Sequence, residues 1–148
     1  MAHSVYALGI QDAGLNPAAF ALGAATLTTR SSQVDLGSPA GGGKNARIED
    51  FEIEIQAPAL TKAQAANSQT VTYSVQHSTA SGSGYTALSG TLLTQTGAGG
   101  VGASASSVRY RVPSDCYRYL NVAAVSSAGA GNPSTASCTV VFYFHPTA

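Results

Sequence analysis

The densest group of side chains with chemical potential is a run of four carboxylates, Glu49, Asp50, Glu52 and Glu54. Two carboxylates catalyse glycoside hydrolysis when they flank a cleft and have well-separated pKa values. Asp50, Glu52 and Glu54 instead share one face of an alternating segment, where adjacent positions lie about 6–7 Å apart and face solvent together. Calcium could use the same oxygen ligands, but the segment has no ligand loop.

Two arginines suggest a structural role for these carboxylates. Arg109 and Arg111 lie on the polar face of another alternating segment. Opposite charges on neighbouring strands stabilise a sheet by about 0.2–1 kcal/mol per pair. If the two segments pair, the acidic and basic side chains form a cross-strand charge ladder. We favour this ladder over a catalytic or calcium-binding cluster.

Other residues give no catalytic or metal-binding pattern. His3, His77 and His145 are too widely separated for the usual two-histidine metal motifs, and no serine lies in a nucleophile elbow. Cys116 and Cys138 are too few for a zinc site. Because no secretory signal is recognisable, we interpret both as reduced and buried, although their pairing stays open. We predict no catalytic residue, no metal and no cofactor.

The composition points to a protein that works in an assembly. Charged residues make up 9% of the chain, against about 25% in an ordinary globular protein. Seven basic and seven acidic residues cancel, so we expect neither nucleic-acid nor membrane binding. Low charge opposes association weakly. We therefore expect much of the surface to be covered, although an alanine- and glycine-rich source genome would also explain the composition.

Period-two alternation predicts strands along most of the chain. The clearest segments are 51–57, 69–78, 108–112 and 138–144, each bounded by glycine, proline or other turn residues. About seven strands and no long amphipathic helix favour an all-β, jelly-roll-like β-sandwich, which we assign to residues 33–148. The last segment is apolar on both faces, which predicts a central or interface strand.

The first part of the chain, residues 1–32, shows no clear periodicity. We predict an extended N-terminal arm, which could reach about 100 Å when fully stretched and would become ordered on a partner. Ile10, Leu15 and Phe20 are the candidate anchors with which this arm contacts its partner. A disordered tail is the alternative.

Several segments, in their order along the chain, resemble small cement or decoration proteins of tailed double-stranded-DNA phages. The resemblance covers about residues 34–144. The segments are Val34-Asp35-Leu36-Gly37, Glu52–Ala57, Val71–Ser78 followed by Gly84-Tyr85-Thr86-Ala87-Leu88, Arg111-Val112-Pro113, and Tyr117-Arg118-Tyr119-Leu120-Asn121-Val122.

This resemblance implies a homodimer on the outside of an icosahedral capsid, bound at two-fold positions to major capsid proteins of the HK97-type fold. It implies a virion location and no catalytic residue. Tyr117, Arg118 and Tyr119 become interface candidates, because tyrosine and arginine are enriched at protein interfaces.

We therefore predict a non-enzymatic cement protein that stabilises a phage capsid by bridging major capsid proteins. Bridging makes the second contact effectively intramolecular, so each contact can be weak. The alternative is a carbohydrate-binding or host-attachment module of a virion, with Tyr85, Tyr117 and Tyr119 as an aromatic platform. A third hypothesis, an enzyme using the acidic cluster 49–54, requires those carboxylates to line a pocket.

Overall fold

The computed structural model describes residues 10–11, 19–36 and 50–145 of the 148-residue chain. Short strands and tight connections make up nearly all of the described residues, and a 3-10 turn at Pro133–Thr135 is capped by Asn132. The strands are β1 (Ile10–Gln11), β2 (Phe20–Ala21), β3 (Thr28–Arg30), β4 (Val34–Asp35), β5 (Asp50–Ala57), β6 (Thr70–Ser78), β7 (Thr86–Ala87), β8 (Leu93–Thr96), β9 (Ser106–Arg111), β10 (Tyr119–Ser126) and β11 (Ser137–His145).

The strands form two antiparallel sheets. The first sheet has the order β1–β11–β5–β9, and β2 also pairs with β11. The second has the order β3–β10–β6–β7, with β4 added to β10 and β8 added to β6. The prediction of an all-β sandwich is confirmed.

Alternation along the strands explains how the two sheets enclose one core. On β6, Val71, Tyr73 and Val75 are fully buried, whereas Thr72 and Ser74 between them are half-buried. Burying a large apolar side chain contributes roughly 1.5–3 kcal/mol, so this periodicity is enough to fix which face points inward. The neighbouring strand β10 supplies Leu120 and Val122 to the same core, and the facing strands β5 and β11 supply Ile53, Ile55, Val140 and Phe142.

The strand β11 is central in its sheet, as its sequence predicted. It lies between β5 on one side and the short strands β1 and β2 on the other. Val140 and Val141 point to opposite faces of the sheet, yet both are buried. The apolar residues on both faces of this strand are therefore explained by its position.

The predicted N-terminal arm is wrong for residues 19–32. Phe20 and Leu22 lie in the sandwich core, where Phe20 is 8% exposed and Leu22 is 2% exposed. The strand β2 pairs with β11, and β3 pairs with β10. Two- and three-residue strands show no detectable alternation, which is why the sequence did not reveal them. The predicted boundary at residue 33 falls between β3 and β4, inside the sandwich.

Candidate protein-binding surface

Four connections lie together at one end of the sandwich and cross between the two sheets. They comprise residues 22–27, 58–69, 97–105 and 127–136. The pairing registers place the ends of β2, β5, β8 and β10 and the starts of β3, β6, β9 and β11 at this end. We call it the loop end. Lys62 is the only charged residue in its four connections, so this end of the sandwich is nearly uncharged.

Exposed apolar side chains are concentrated at the loop end. Val101 is 78% exposed and Leu27 is 54% exposed, and both lie in these connections. Val125, which is 41% exposed, lies one residue before the end of β10. Among the described residues, these are the large apolar side chains that face solvent. Leu27 and Val101 belong to opposite edges of the sandwich, about three strand spacings or ~15 Å apart, so they mark a broad surface.

A buried glutamine joins two of the connections at the loop end. Gln69 is 2% exposed. Its side-chain oxygen accepts hydrogen bonds from the backbone amides of Gly131 at 2.8 Å and Ala66 at 3.3 Å. Its side-chain nitrogen donates to the carbonyl oxygens of Gly131 at 3.0 Å and Ser127 at 3.4 Å. One neutral side chain therefore satisfies backbone groups that would otherwise be buried without partners.

A second glutamine anchors the connection that carries Val101. Gln95 is 4% exposed, and its oxygen accepts a hydrogen bond from the Tyr73 hydroxyl at 2.7 Å. Its nitrogen donates to the carbonyl oxygens of Pro58 at 2.7 Å and Ser104 at 2.9 Å. Burial strongly raises the pKa of Tyr73, so this hydroxyl stays a donor at all ordinary pH values. The connection is thereby tied to the core.

Close backbone packing fixes the tip of the same connection. Gly102 has φ +92°, and a Cβ there would overlap the Leu60 carbonyl. Leu60 and Ala103 exchange two backbone hydrogen bonds of 2.8 Å. Gly97 packs equally closely against the Ala65 and Ala66 carbonyls, so a larger residue would fit at neither glycine. As a result, Val101 is displayed on an ordered loop.

A shallow cavity of about 380 Å³ lies beside Val101. It is bordered by the hydrogen-bonded segments 59–61 and 101–104. Its lining consists of Ala59, Leu60, Thr61, Val101, Gly102, Ala103 and Ser104. An exposed apolar side chain next to an uncharged depression is suited to contact with another protein.

The predicted charge ladder is confirmed. The strands β5 and β9 are neighbours, with Glu52 opposite Arg111 and Glu54 opposite Arg109. The Arg109 Nη2 atom lies 3.2 Å from Glu54 Oε2, and the guanidinium is 4.1 Å from the centre of the Tyr143 ring. Partial burial raises the pKa of Glu54, but hydrogen bonds from Tyr143 and other neighbours outweigh it, so the pKa is lowered.

The ladder does not form the paired-carboxylate site of the enzyme hypothesis. A depression of about 320 Å³ borders Glu54, Gln56 and the start of β9. Glu54 is the single carboxylate in its lining, and that carboxylate is already bound by Arg109. The side chain of Asp50, and Glu49 as a whole, lie outside the described residues. The part of the cluster that is described is therefore engaged in sheet pairing.

His77, Cys116 and Cys138 are each held by neighbouring groups or buried in the sandwich. The His77 Nδ1 atom accepts a hydrogen bond from the Tyr117 backbone amide at 3.2 Å, and the two rings are 4.3 Å apart. His77 is thus half-buried and held by Tyr117. Cys116 and Cys138 have no exposed surface and are not joined to each other by a disulfide, so the prediction that both are buried is confirmed. Burial raises the pKa of Cys138 to about 12.

The candidate capsid-contact anchors of the predicted arm are not brought together. Phe20 is a core residue and cannot touch a partner, so its assignment as an anchor is wrong. Ile10 pairs with Phe144 on β11, and its side chain lies outside the described residues. Leu15 also lies outside them. Exposed apolar residues on the connecting loops, rather than the predicted arm, mark the candidate surface.

The three interface candidates lie away from the loop end and do not form one platform. Tyr117 packs on His77. Arg118 forms a bidentate pair with Asp35, with both nitrogen–oxygen distances at 2.6 Å. Its guanidinium lies 5.0 Å from the centre of the Tyr119 ring. Sequence order alone could not show that Asp35, more than eighty residues earlier, is the partner of Arg118.

Comparison with known proteins gives no relative from which a role could be transferred. No family model matches the sequence. No curated protein matches it either. Within residues 10–11, 19–36 and 50–145, no group of three or more histidine, cysteine, aspartate or glutamate side chains could hold a metal ion. In the same residues, no helix is long and apolar enough to cross a membrane.

Proposed function

We propose that the chain is a structural cement or decoration protein of a phage capsid, and that it binds capsid proteins through the loop end. The observation that carries the proposal is the display of Val101 and Leu27 on uncharged connections. Gln69 and Gln95 hold these connections by buried hydrogen bonds. The role of the protein is then to bind, without catalysing a reaction.

Two physical properties make this surface suitable for binding a protein. The cores of protein interfaces are depleted of charged residues, because a charge that loses its water without gaining a partner is costly. Lys62 is the one charge that would have to be displaced from or accommodated by such a contact. Ordered loops also lose little conformational entropy on binding. The loop end therefore combines a low desolvation cost with a low ordering cost.

The strand arrangement supports the finer proposal of a jelly roll. When β1 with β2, β3 with β4, and β7 with β8 are each counted as one strand, eight strands remain in the orders 1–8–3–6 and 2–7–4–5. A jelly roll consists of eight strands in two Greek keys and occurs in viral capsid and lectin domains. Because one fold carries many unrelated functions, the jelly roll alone does not indicate a role, and the loop end is the feature that supports capsid binding.

A homodimer on the outside of the capsid completes the proposal. Two copies related by a two-fold axis would present two loop ends to two capsid proteins. The second contact then forms at a high effective concentration, so that weak individual contacts are sufficient. Residues 19–32 belong to the sandwich, and Phe20 lies in its core. The two capsid proteins would therefore be bridged by the two loop ends of the dimer, and not by an arm anchored through Phe20.

The test is co-sedimentation of the purified protein with capsids assembled from the cognate major capsid protein. We expect the wild type to bind at a fixed ratio to that protein. The variant V101D should bind at least about tenfold more weakly, because burying a polar group without a partner costs about 1–3 kcal/mol. Val101 is 78% exposed, so the variant should fold normally.

The matched control is S83D, which adds the same charge to an exposed position in the β6–β7 connection at the opposite end. We expect it to bind as the wild type does. A wild-type protein that stays in the supernatant as a monomer would contradict the cement proposal. Equal binding of V101D and the wild type would contradict the assignment of the contact to the loop end.

A further inference from the structure

The outer face of the second sheet carries a second cluster, away from the loop end. Asn121 on β10 lies opposite Gln76 on β6, and Tyr119 on β10 lies opposite Ser78. Arg30 on β3 donates a hydrogen bond of 2.8 Å from Nε to the Gln76 side-chain oxygen. The Tyr85 hydroxyl lies near the Asn121 side chain. Arg30, Gln76, Tyr85, Tyr119 and Asn121 form what we call the tyrosine face.

The two aromatic rings of this face are held in place. The Tyr85 hydroxyl donates a hydrogen bond of 2.7 Å to the Gln33 side-chain oxygen, which also accepts one of 2.8 Å from the Gly82 amide. Tyr119 lies beneath the guanidinium of Arg118, which Asp35 fixes. Both tyrosines are half-buried. A rigid aromatic side chain offers contact area at a small cost in entropy.

Hydrogen-bonding capacity on the same face is not used within the protein. Asn121 is 4% exposed, and its Oδ1 atom has no hydrogen-bond partner among the described residues. Leaving a buried acceptor without a partner costs about 1–3 kcal/mol. The buried side-chain oxygen of Asn121 is therefore an acceptor that no described group uses.

Arg30 provides a charge that the described residues do not neutralise. It is exposed, and the neutral Gln76 side chain accepts its Nε hydrogen bond. No carboxylate among the described residues pairs with it, whereas Arg118 on the same face is neutralised by Asp35. Its two terminal amino groups can therefore receive a carboxylate of a ligand in a bidentate arrangement.

We propose that the tyrosine face binds an acidic saccharide, such as a chain of hexuronic acids. The sugar ring packs against Tyr85 and Tyr119, one of its hydroxyl groups bonds to the Gln76 amide, and its carboxylate pairs with Arg30. Aromatic contact supplies area, and a few fixed polar groups supply orientation. This activity is independent of capsid binding at the loop end, and it would let a virion protein hold a polysaccharide surface.

The test is isothermal titration of the full chain with a galacturonic acid tetramer and with the neutral galactose tetramer. We expect the wild type to bind the acidic tetramer at least about tenfold more tightly, which corresponds to one charge-assisted contact. The variant R30Q should lose this preference. The variant Y119A should weaken binding of both tetramers, and urea unfolding would verify that each variant is folded.

The matched control is K62Q, which removes the same charge at the loop end. We expect it to bind both tetramers as the wild type does. No heat of binding at millimolar saccharide would overturn the proposal. So would an equal loss of affinity in K62Q and R30Q, or equally tight binding of a short polyglutamate, since either result would reveal attraction to charge alone.

Discussion

The replacement of Gln69 by alanine should destabilise the protein strongly, although this glutamine carries no charge and lies outside the strands. The variant removes two short hydrogen bonds to Gly131, at 2.8 and 3.0 Å, and two longer ones to Ala66 and Ser127. Each bond contributes about 0.5–1.5 kcal/mol, and a buried partner left unpaired costs about 1–3 kcal/mol. Because water entering the void would satisfy some of these groups, we expect a loss of about 3 kcal/mol.

Equilibrium urea unfolding, followed by tyrosine fluorescence, measures this loss. With a slope of about 2 kcal/mol per molar urea, the midpoint of Q69A should fall by about 1.5 M. The control is Q64A in the same connection. Gln64 is more exposed: its nitrogen donates a bond of 2.8 Å to the Thr135 hydroxyl, and its oxygen accepts bonds from the Thr61 amide at 2.9 Å and the Thr61 hydroxyl at 3.2 Å. Because water can replace these exposed bonds, we expect a loss of about 1 kcal/mol or less.

A midpoint shift of less than about 0.5 M in Q69A would refute the reasoning. Such a result would mean that the 58–69 and 127–136 connections remain associated without the glutamine. Equal shifts in Q69A and Q64A would also refute it, because burial would then have no influence on the energy of the amide.

Two further predictions concern groups with shifted pKa values. The pKa of Glu54 is lowered, so its contribution is present above the unfolded value of about 4.3 and is lost as the pH falls through the folded value. The free energy of unfolding, measured with urea, should therefore fall in acid by about 0.2–1 kcal/mol less for E54Q than for the wild type. Equal acid sensitivity of the two proteins would contradict this. The pKa of Cys138 is raised to about 12, and the thiol is fully buried. Ellman's reagent at pH 8 should therefore label it only after urea unfolding, and labelling of the native protein within minutes would show that this position opens.

The sequence predicted those features that repeat over several residues. The alternation around Ile53 and Ile55 was long enough to give the strand, its buried face and the charged face opposite. Glu54 and Arg109 each lie on the polar face of their own strand. The prediction of a charge ladder therefore needed only one further condition, that the two strands are neighbours in the sheet. The two apolar faces of β11, with Val140 and Val141, gave its central position.

Features that depend on one or two residues were not predictable in the same way. The strand β2 contains only Phe20 and Ala21, so no alternation could show that Phe20 faces the core. The pairing of Gln33 with Tyr85 joins residues 52 positions apart, and neither residue signals the other.

The loop end was hidden for a different reason. Its glycines and alanines are also typical of mobile segments. The sequence does not show whether a glycine gives the backbone flexibility or lets a neighbouring segment pack closely against it. At Gly102 the second explanation holds, because the Leu60 carbonyl occupies the space that a side chain would need. A fixed backbone can therefore have the same composition as a mobile one.

The use of glutamine to hold the connections has a consequence for where the protein can work. The amides of Gln33, Gln69 and Gln95 neither gain nor lose a proton between strong acid and strong base. Dissolved ions also screen them little, since they carry no net charge. The connections that these three glutamines hold should therefore keep the same hydrogen bonds over a wide range of pH and salt concentration.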